Sequence, residues 1–255
     1  KKLFPNVSID RFYAKSNADP LVYSHFAGGD LTDKLYDEIE TYDQLSEILN
    51  GALKEYNEMN AVMDLVLFTD ALKHICRVTR VINNTGGHAL LVGVGGMGKQ
   101  SLSRLSSFVC GYTTVQIQIS QAYTITSSPG LKEDIRTMYT KSGLKEEGIC
   151  FLFTDSQIAD EKFLVYINDL LSSGDIPGLF APDEMEGCIN GVRSRVKAAG
   201  IPETTDNCWR FFIDSVRTNL HMCLCFSPVG GDMARRAQRF PALINNTCID
   251  WFQDW

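Results

Sequence analysis

The chain has 255 residues, 44% of them hydrophobic and 22% charged, with a formal net charge of −7, which suits one large or two small globular domains rather than a disordered or fibrous chain. The acidic balance and the lack of a dense Lys/Arg stripe argue against nucleic acid as a direct partner. No apolar run approaches the roughly 20 residues that cross a bilayer as a helix, so no membrane partner is expected.

None of the eight cysteines belongs to a C-x-x-C pair. Cys110, Cys150, Cys223, Cys225 and Cys248 sit in or beside apolar runs, as small buried hydrophobes do, and the pattern fits a reducing compartment, the cytosol. Lys1 follows no initiating Met, and Trp255 falls inside an aromatic stretch; the chain reads as a piece of something longer.

Residues 1–40 are mixed and polar, punctuated by Pro5, Pro20, Gly28 and Gly29, which predicts irregular structure with short elements. Thr41 with Gln44 three residues on reads as a capping box, and Leu45, Ile48, Leu49, Leu53 and Tyr56 follow at helical spacing. A second helix is expected over Thr69–Ile82, with Ala71, Leu72, Ile75, Val78 and Ile82 on one face. The apolar run 88–92 then reads as a strand leading into Gly93, Val94, Gly95, Gly96, Met97, Gly98 and Lys99.

That run fits G-x-x-x-x-G-K between a strand and an amphipathic helix, the setting of a phosphate-binding loop. Glycines let successive N–H groups point inward, Lys99 adds a point charge at the β/γ-phosphates, and the helix that follows adds its positive end. The next position departs from the pattern. A Ser or Thr there offers its hydroxyl to Mg²⁺, but here it is Gln100, with Ser101 one place late. Successive helical residues point about 100° apart, so Ser101 does not stand in for it.

A second strand is expected over 112–119, and Ser128-Pro129 reads as the N-cap and first turn of a helix lined by Leu131, Ile135 and Met138 and ended by Gly143. Residues 149–153 form a continuous apolar run, the mark of a strand buried on both faces. Asp155 at its end suits an aspartate that holds Mg²⁺ through water, or a simple turn aspartate before the next helix. Many P-loop ATPases place Glu directly after that Asp to orient the attacking water; here Ser156 and Gln157 follow. A helix carrying Phe163, Leu164, Ile167, Leu170 and Leu171 comes next, then a polar insertion over 175–205 with helical pieces and a helix over 209–216. A buried strand is expected at 220–226 and a fifth strand at 247–251. Ser227 either touches a γ-phosphate or its water, or makes a strand-end turn before Pro228. Arg235, Arg236 and Arg239 either reach a neighbouring subunit's phosphates or form a solvated basic face. Strands alternating with helices predict a three-layer α/β domain around a mostly parallel sheet.

The segments LLVGVGGMGKQSLSRL, FLFTDSQI, FLVYINDLLSSGDIPGLF and LCFSPVGGDMARRAQRFPALINNTCIDWFQDW resemble dynein heavy chains, specifically the fourth AAA+ module of the motor ring in the ciliary class, nearest to outer-arm chains. The resemblance covers about residues 20–255. It implies a P-loop AAA+ large subdomain over 41–255 with a five-stranded sheet of order 5-1-4-3-2. A connecting segment would precede it over 1–40, and a small helical subdomain would follow Trp255. It implies ATP or ADP with Mg²⁺ as ligands, neighbouring AAA+ modules as partners, and microtubule contact only through the stalk. The parent would be an ATP-hydrolysing, minus-end-directed motor of the ciliary or flagellar axoneme.

Residue by residue, the resemblance makes Gly93–Lys99 the phosphate loop with Gln100 and Ser101 opening its helix. Asp155 becomes the metal-site aspartate with Gln100 beside it, Ser227 the sensor residue, Arg236 the arginine finger toward the neighbouring module, and Val66, Leu67 and Phe68 an approach to adenine or a piece of core packing. Cytoplasmic relatives carry Thr after the loop lysine and Glu after the Asp. Their absence here favours a regulatory nucleotide-binding module with weak or no hydrolysis over an active secondary ATPase or a purely structural ring module.

Overall fold

A computed structural model describes residues 22–29, 31 and 35–253. Strands β3 (Ala89–Val92), β4 (Thr113–Val115), β5 (Ile149–Thr154), β6 (Leu220–Phe226) and β7 (Cys248–Trp251) form one sheet in the spatial order β4-β5-β6-β3-β7. All four neighbouring pairs are parallel. Numbered by appearance, this is the expected 5-1-4-3-2 order read from the opposite edge.

The central strands ICFLFT and LHMCLCF are buried at every residue, and their alternation feeds two cores. Cys150, Leu152, Cys223 and Cys225 point with Ala89 and Leu91 into one, packed by α1 (Tyr42–Met59), α2 (Thr69–Ile82) and α3 (Lys99–Val109). Phe151, Phe153, Met222, Leu224 and Phe226 point with Leu90 and Val92 into the other. Helices α4 (Leu131–Leu144), α5 (Phe163–Ser172), α6 (Pro182–Ala198), α7 (Thr205–Asn219) and α9 (Ala242–Asn245) cover it. Parallel neighbours need crossovers, and the helices supply them. Ahead of the sheet, β1 (Val22–Ser24) and β2 (Asp37–Ile39) pair antiparallel, and Phe26 and Ile39 sink into the first core. Of the expected connecting segment, residues 1–21, 30 and 32–34 lie outside the described residues, as do residues 254–255 and anything beyond.

The Thr41 cap forms as expected, its hydroxyl accepting from Gln44 N at 3.2 Å, while the Gln44 side chain reaches back to Glu40 N at 3.1 Å. The helical piece expected within 175–205 is α6, which starts with Pro182 at its first turn, has Glu184 accepting from Ala181 N at 2.8 Å, and buries Cys188, Ile189, Val192 and Val196. Three expectations are corrected. Ser128 does not cap α4. The cap residue is Gly130, and the first helical N–H groups of Leu131 and Lys132 are taken by the carbonyls of Thr124 and Ile125, so no serine side chain is needed. Gly143 does not stop α4 but lies inside its last turn, where a Cβ would fall 2.4 Å from Phe212 Cε2 and 2.8 Å from Val216 Cγ2. The expected strand over 112–119 shortens to β4, an edge strand whose ladder beyond Val115 gives way to a side-chain bond from the Gln157 amide to Ile117 O.

These contacts predict opposite effects for two helical glycines. Gly143→Ala forces α4 and α7 apart and is expected to destabilise by about 1–3 kcal/mol. Gly51→Ala, where a Cβ meets nothing within 4 Å, is expected to stabilise by roughly 0.5–1 kcal/mol through helix propensity. Urea denaturation of both variants checks the pair.

His88, just before β3, accepts from Met222 N at 3.1 Å. Burial, reinforced by His221 and Arg217, pushes its pKa down to about 3. The unfolded chain titrates near 6.5, so this stability is present above about pH 6.5 and is lost as pH falls toward 3, on the order of 2 kcal/mol by pH 5. His88→Gln, which keeps an acceptor, is expected to flatten the acid limb of the stability–pH curve.

Candidate functional site

The loop between β3 and α3 continues the strand by one bond, Gly93 N to Phe226 O at 3.1 Å, and then turns sharply. Gly96 (φ 85°) and Gly98 (φ 71°) occupy the left-handed region, where a side chain is strained. Gly98 caps α3, whose first turn leaves N–H groups directed at the loop. A Cβ at Gly95 or Gly96 would meet nothing within 4 Å, so the loop backbone is open on its outer side. Lys99 Nζ donates to the carbonyls of Gly93 and Val94, each at 2.7 Å, and fixes the loop's inner curve. Desolvation lowers the Lys99 pKa, while Cys225 and Asp155 oppose that shift.

Across from the loop, β5 ends in a 3₁₀ turn, Asp155–Gln157. The Asp155 carboxylate accepts from Ser156 N and Ser227 N, both at 2.9 Å, and so joins the ends of β5 and β6. Ser227 Oγ accepts from Val229 N at 3.3 Å, which makes the strand-end turn while Ser227 still faces the cleft. Gln157 is 7% exposed. Its amide oxygen accepts from Thr154 N at 2.8 Å and from Thr154 Oγ1 at 3.1 Å, and its amide nitrogen donates to Ile117 O. Gln157 is thus held by three hydrogen bonds in the turn and does not line the cleft. Ser156 Oγ is hydrogen-bonded to Thr154 Oγ1 at 2.9 Å.

These two walls enclose a cleft of about 640 Å³. Gly95–Ser101 and Arg104 line one side; Thr154, Asp155, Cys225 and Ser227 line the other. Gly93 and Val94 serve it through their carbonyls. Sequence reasoning missed Thr154, Cys225 and Arg104; the available signal for Arg104 was its i,i+4 spacing from Gln100, which puts both on one face of α3. Val66, Leu67 and Phe68 do not line this cleft. Val66 is 76% exposed and Phe68 39%, Leu67 packs on the first core, and from the same stretch Leu65 approaches the loop, 3.9 Å from where a Gly98 Cβ would sit. Arg236, on α8 (Asp232–Arg239), is also outside it, with Nε buried and unbonded. Arg235 and Arg239 pair with Glu161.

The open glycine backbone, Lys99 and the helix terminus suit phosphate oxygens. A loop-held Mg²⁺ is less well served. Gln100 offers an amide instead of a hydroxyl, its Oε1 accepts from Gln116 Nε2 at 3.3 Å, and Asp155 is the one carboxylate among the lining residues. No group of three or more His, Cys, Asp or Glu able to hold a metal occurs among the described residues.

Residues 63–255 match the family model described as the P-loop containing dynein motor region D4. Over its full 255 residues the chain is 54% identical to the Dynein alpha chain, flagellar outer arm, of Chlamydomonas reinhardtii. The corresponding figure is 50% for the Dynein beta chain, ciliary, of Tripneustes gratilla and 48% for Dynein axonemal heavy chain 17 of Homo sapiens. In each case it spans 6% of the relative's length.

Removing the Gln157 side chain leaves Thr154 N and Ile117 O without their partner. Gln157→Ala is expected to cost about 1–3 kcal/mol and to speed hydrogen exchange at Thr154, measured by denaturation and by exchange mass spectrometry.

Proposed function

The chain belongs to the dynein heavy chains, as part of their motor region D4, and on that premise we propose that it is a nucleotide-binding AAA+ module that holds ATP or ADP with weak or no turnover. The observation that carries this reading is the preformed glycine loop, with Lys99 bonded into it, opposite Asp155 across one cleft. Phosphates would lie against the Gly95–Lys99 backbone at the start of α3. Turnover would be weak because the position after Asp155 offers no base. Ser156 is a hydroxyl already bonded to Thr154, and Gln157 is tied to the β4 edge. Loss of a group that positions the attacking water costs orders of magnitude in rate.

In the proposal this is the fourth module of the ring, with residues 41–255 as its large subdomain and a small helical subdomain following. Neighbouring modules of the same heavy chain are its direct partners. Val66-Leu67-Phe68 completes the adenine side once the neighbouring parts close, and Arg236 faces the preceding module. The ciliary and flagellar relatives support a place in the axoneme, in an outer-arm, minus-end-directed motor that touches the microtubule through its stalk. Bound nucleotide would bias that stalk through differential contacts in the two ring states.

The test is nucleotide release by heat and chromatography from the intact heavy chain, with titration of ATP and ADP. Lys99→Ala is expected to weaken binding at this module by about tenfold or more, the loss of charge-assisted bonds to phosphate; unchanged binding sinks the reading. With hydrolysis elsewhere in the ring disabled, no turnover that disappears on Asp155→Asn is expected. Such turnover would make this an active secondary ATPase instead.

A further inference from the structure

We propose that this site takes its nucleotide without requiring a bound divalent metal, the Arg104 guanidinium supplying the positive charge that a metal supplies elsewhere. The proposal rests on the nucleotide-binding reading above and specifies the chemistry of the same cleft.

The position after Lys99 is where the helix would present a hydroxyl to Mg²⁺, an ion that demands near-ideal octahedral oxygen geometry. Gln100 stands there, and it is not idle: Gln116 Nε2 donates to its Oε1 at 3.3 Å, and Gln116 Oε1 in turn accepts from Arg104 Nη2. The three side chains form one relay along the α3–β4 side of the cleft, ending in a guanidinium that lines it. Arg104 is half-buried and forms no ion pair among the described residues, whereas Arg136, Arg195, Arg235 and Arg239 each meet a carboxylate. A guanidinium carries five N–H donors in a fixed fork and is always charged. With one donor held by Gln116, the others remain for phosphate oxygens.

The charges of the cleft agree. Its lining holds two cations, Lys99 and Arg104, against one carboxylate, Asp155. Both oxygens of that carboxylate already accept backbone N–H bonds, one from the adjacent Ser156 and one from Ser227 at the end of β6. At nucleotide sites Mg²⁺ is held by one or two carboxylates, waters and the phosphates themselves, and here the single carboxylate is already engaged by backbone while the loop-helix hydroxyl is absent. This cleft has a surplus of positive charge, which is what a di- or triphosphate tail wants.

The experiment is photolabelling of the intact heavy chain with 8-azido-ADP, competed by ADP, with recovery of labelled peptides from this module in excess Mg²⁺ and in EDTA. In the wild-type chain the ADP midpoint is expected to shift by less than about threefold on chelation, and Arg104→Ala to raise it by about tenfold or more in EDTA. Gln100→Thr leaves Arg104 in place and restores the hydroxyl, so it is expected to make binding tighter in Mg²⁺ than in EDTA. A wild-type midpoint that rises more than about tenfold in EDTA overturns the proposal while leaving nucleotide binding intact. An Arg104→Ala midpoint equal to that of wild type also overturns it. Absence of label at this module in either buffer overturns the nucleotide reading itself.

Discussion

Two strands with no polar face set the terms for this molecule. Every residue of β5 and β6 is buried, so both faces of the sheet must be covered, and helices must run across each side between strands that stay parallel. That arrangement carries the chain back to the same end of the sheet before each new strand. The carboxyl ends of β3, β5 and β6 therefore open at one edge, and their connections form the cleft. In open α/β sheets this edge is where ligands bind, because the turns there are free to vary while the sheet beneath is packed on both sides.

Within that edge, polar bonds convert adjacency into a shaped site. Lys99 closes the loop from inside by capping Gly93 and Val94. Asp155 spans the gap between β5 and β6 through the amides of Ser156 and Ser227. Gln157 fastens the turn after β5 to the end of β4. Each spends side-chain groups on holding backbone in place, and Gln157, bonded to Thr154 and Ile117, is kept out of the cleft lining. These bonds fix the glycine loop on one side of the cleft and the turn after β5 on the other.

The opposite edge of the sheet is fixed by a different device. Asp250 on β7 lies buried between His74 Nδ1 at 2.6 Å and Arg77 Nη1 at 3.0 Å, both from α2. Removing either partner would leave a buried carboxylate poorly compensated. The Phe252 ring stacks on His74 at 3.8 Å between centroids, and Phe252 N donates to Val92 O at 2.7 Å. The same Phe252 lies where a Cβ on Gly93 would come within 2.8 Å of its own Cβ. One residue thus touches α2, the end of β3 and the first glycine of the loop, which explains why Gly93 has to be glycine quite apart from any ligand.

Local patterns in the chain determined a good deal on their own. The 3.6-residue period of Ala71, Leu72, Ile75, Val78 and Ile82 specified α2, the apolar run 222–226 specified β6, and the glycine spacing before Lys99 specified the loop, because in each case the pattern lies within a few consecutive residues. Other features depended on residues far apart in sequence, and only the tertiary structure decided them. Gly143 looks like a helix stop until α7 brings Phe212 against it. Gln157 looks available until Ile117, forty residues earlier, takes its amide. The helical piece expected within 175–205 is placed only by the tertiary structure, where α6 buries a narrow stripe against α4 and α7. Arg104 became a cleft residue once Gln116 was folded beside it. Propensity and periodicity register interactions within a turn or two of chain; close approach, bond saturation and the charge balance of a cleft arise only when distant segments meet.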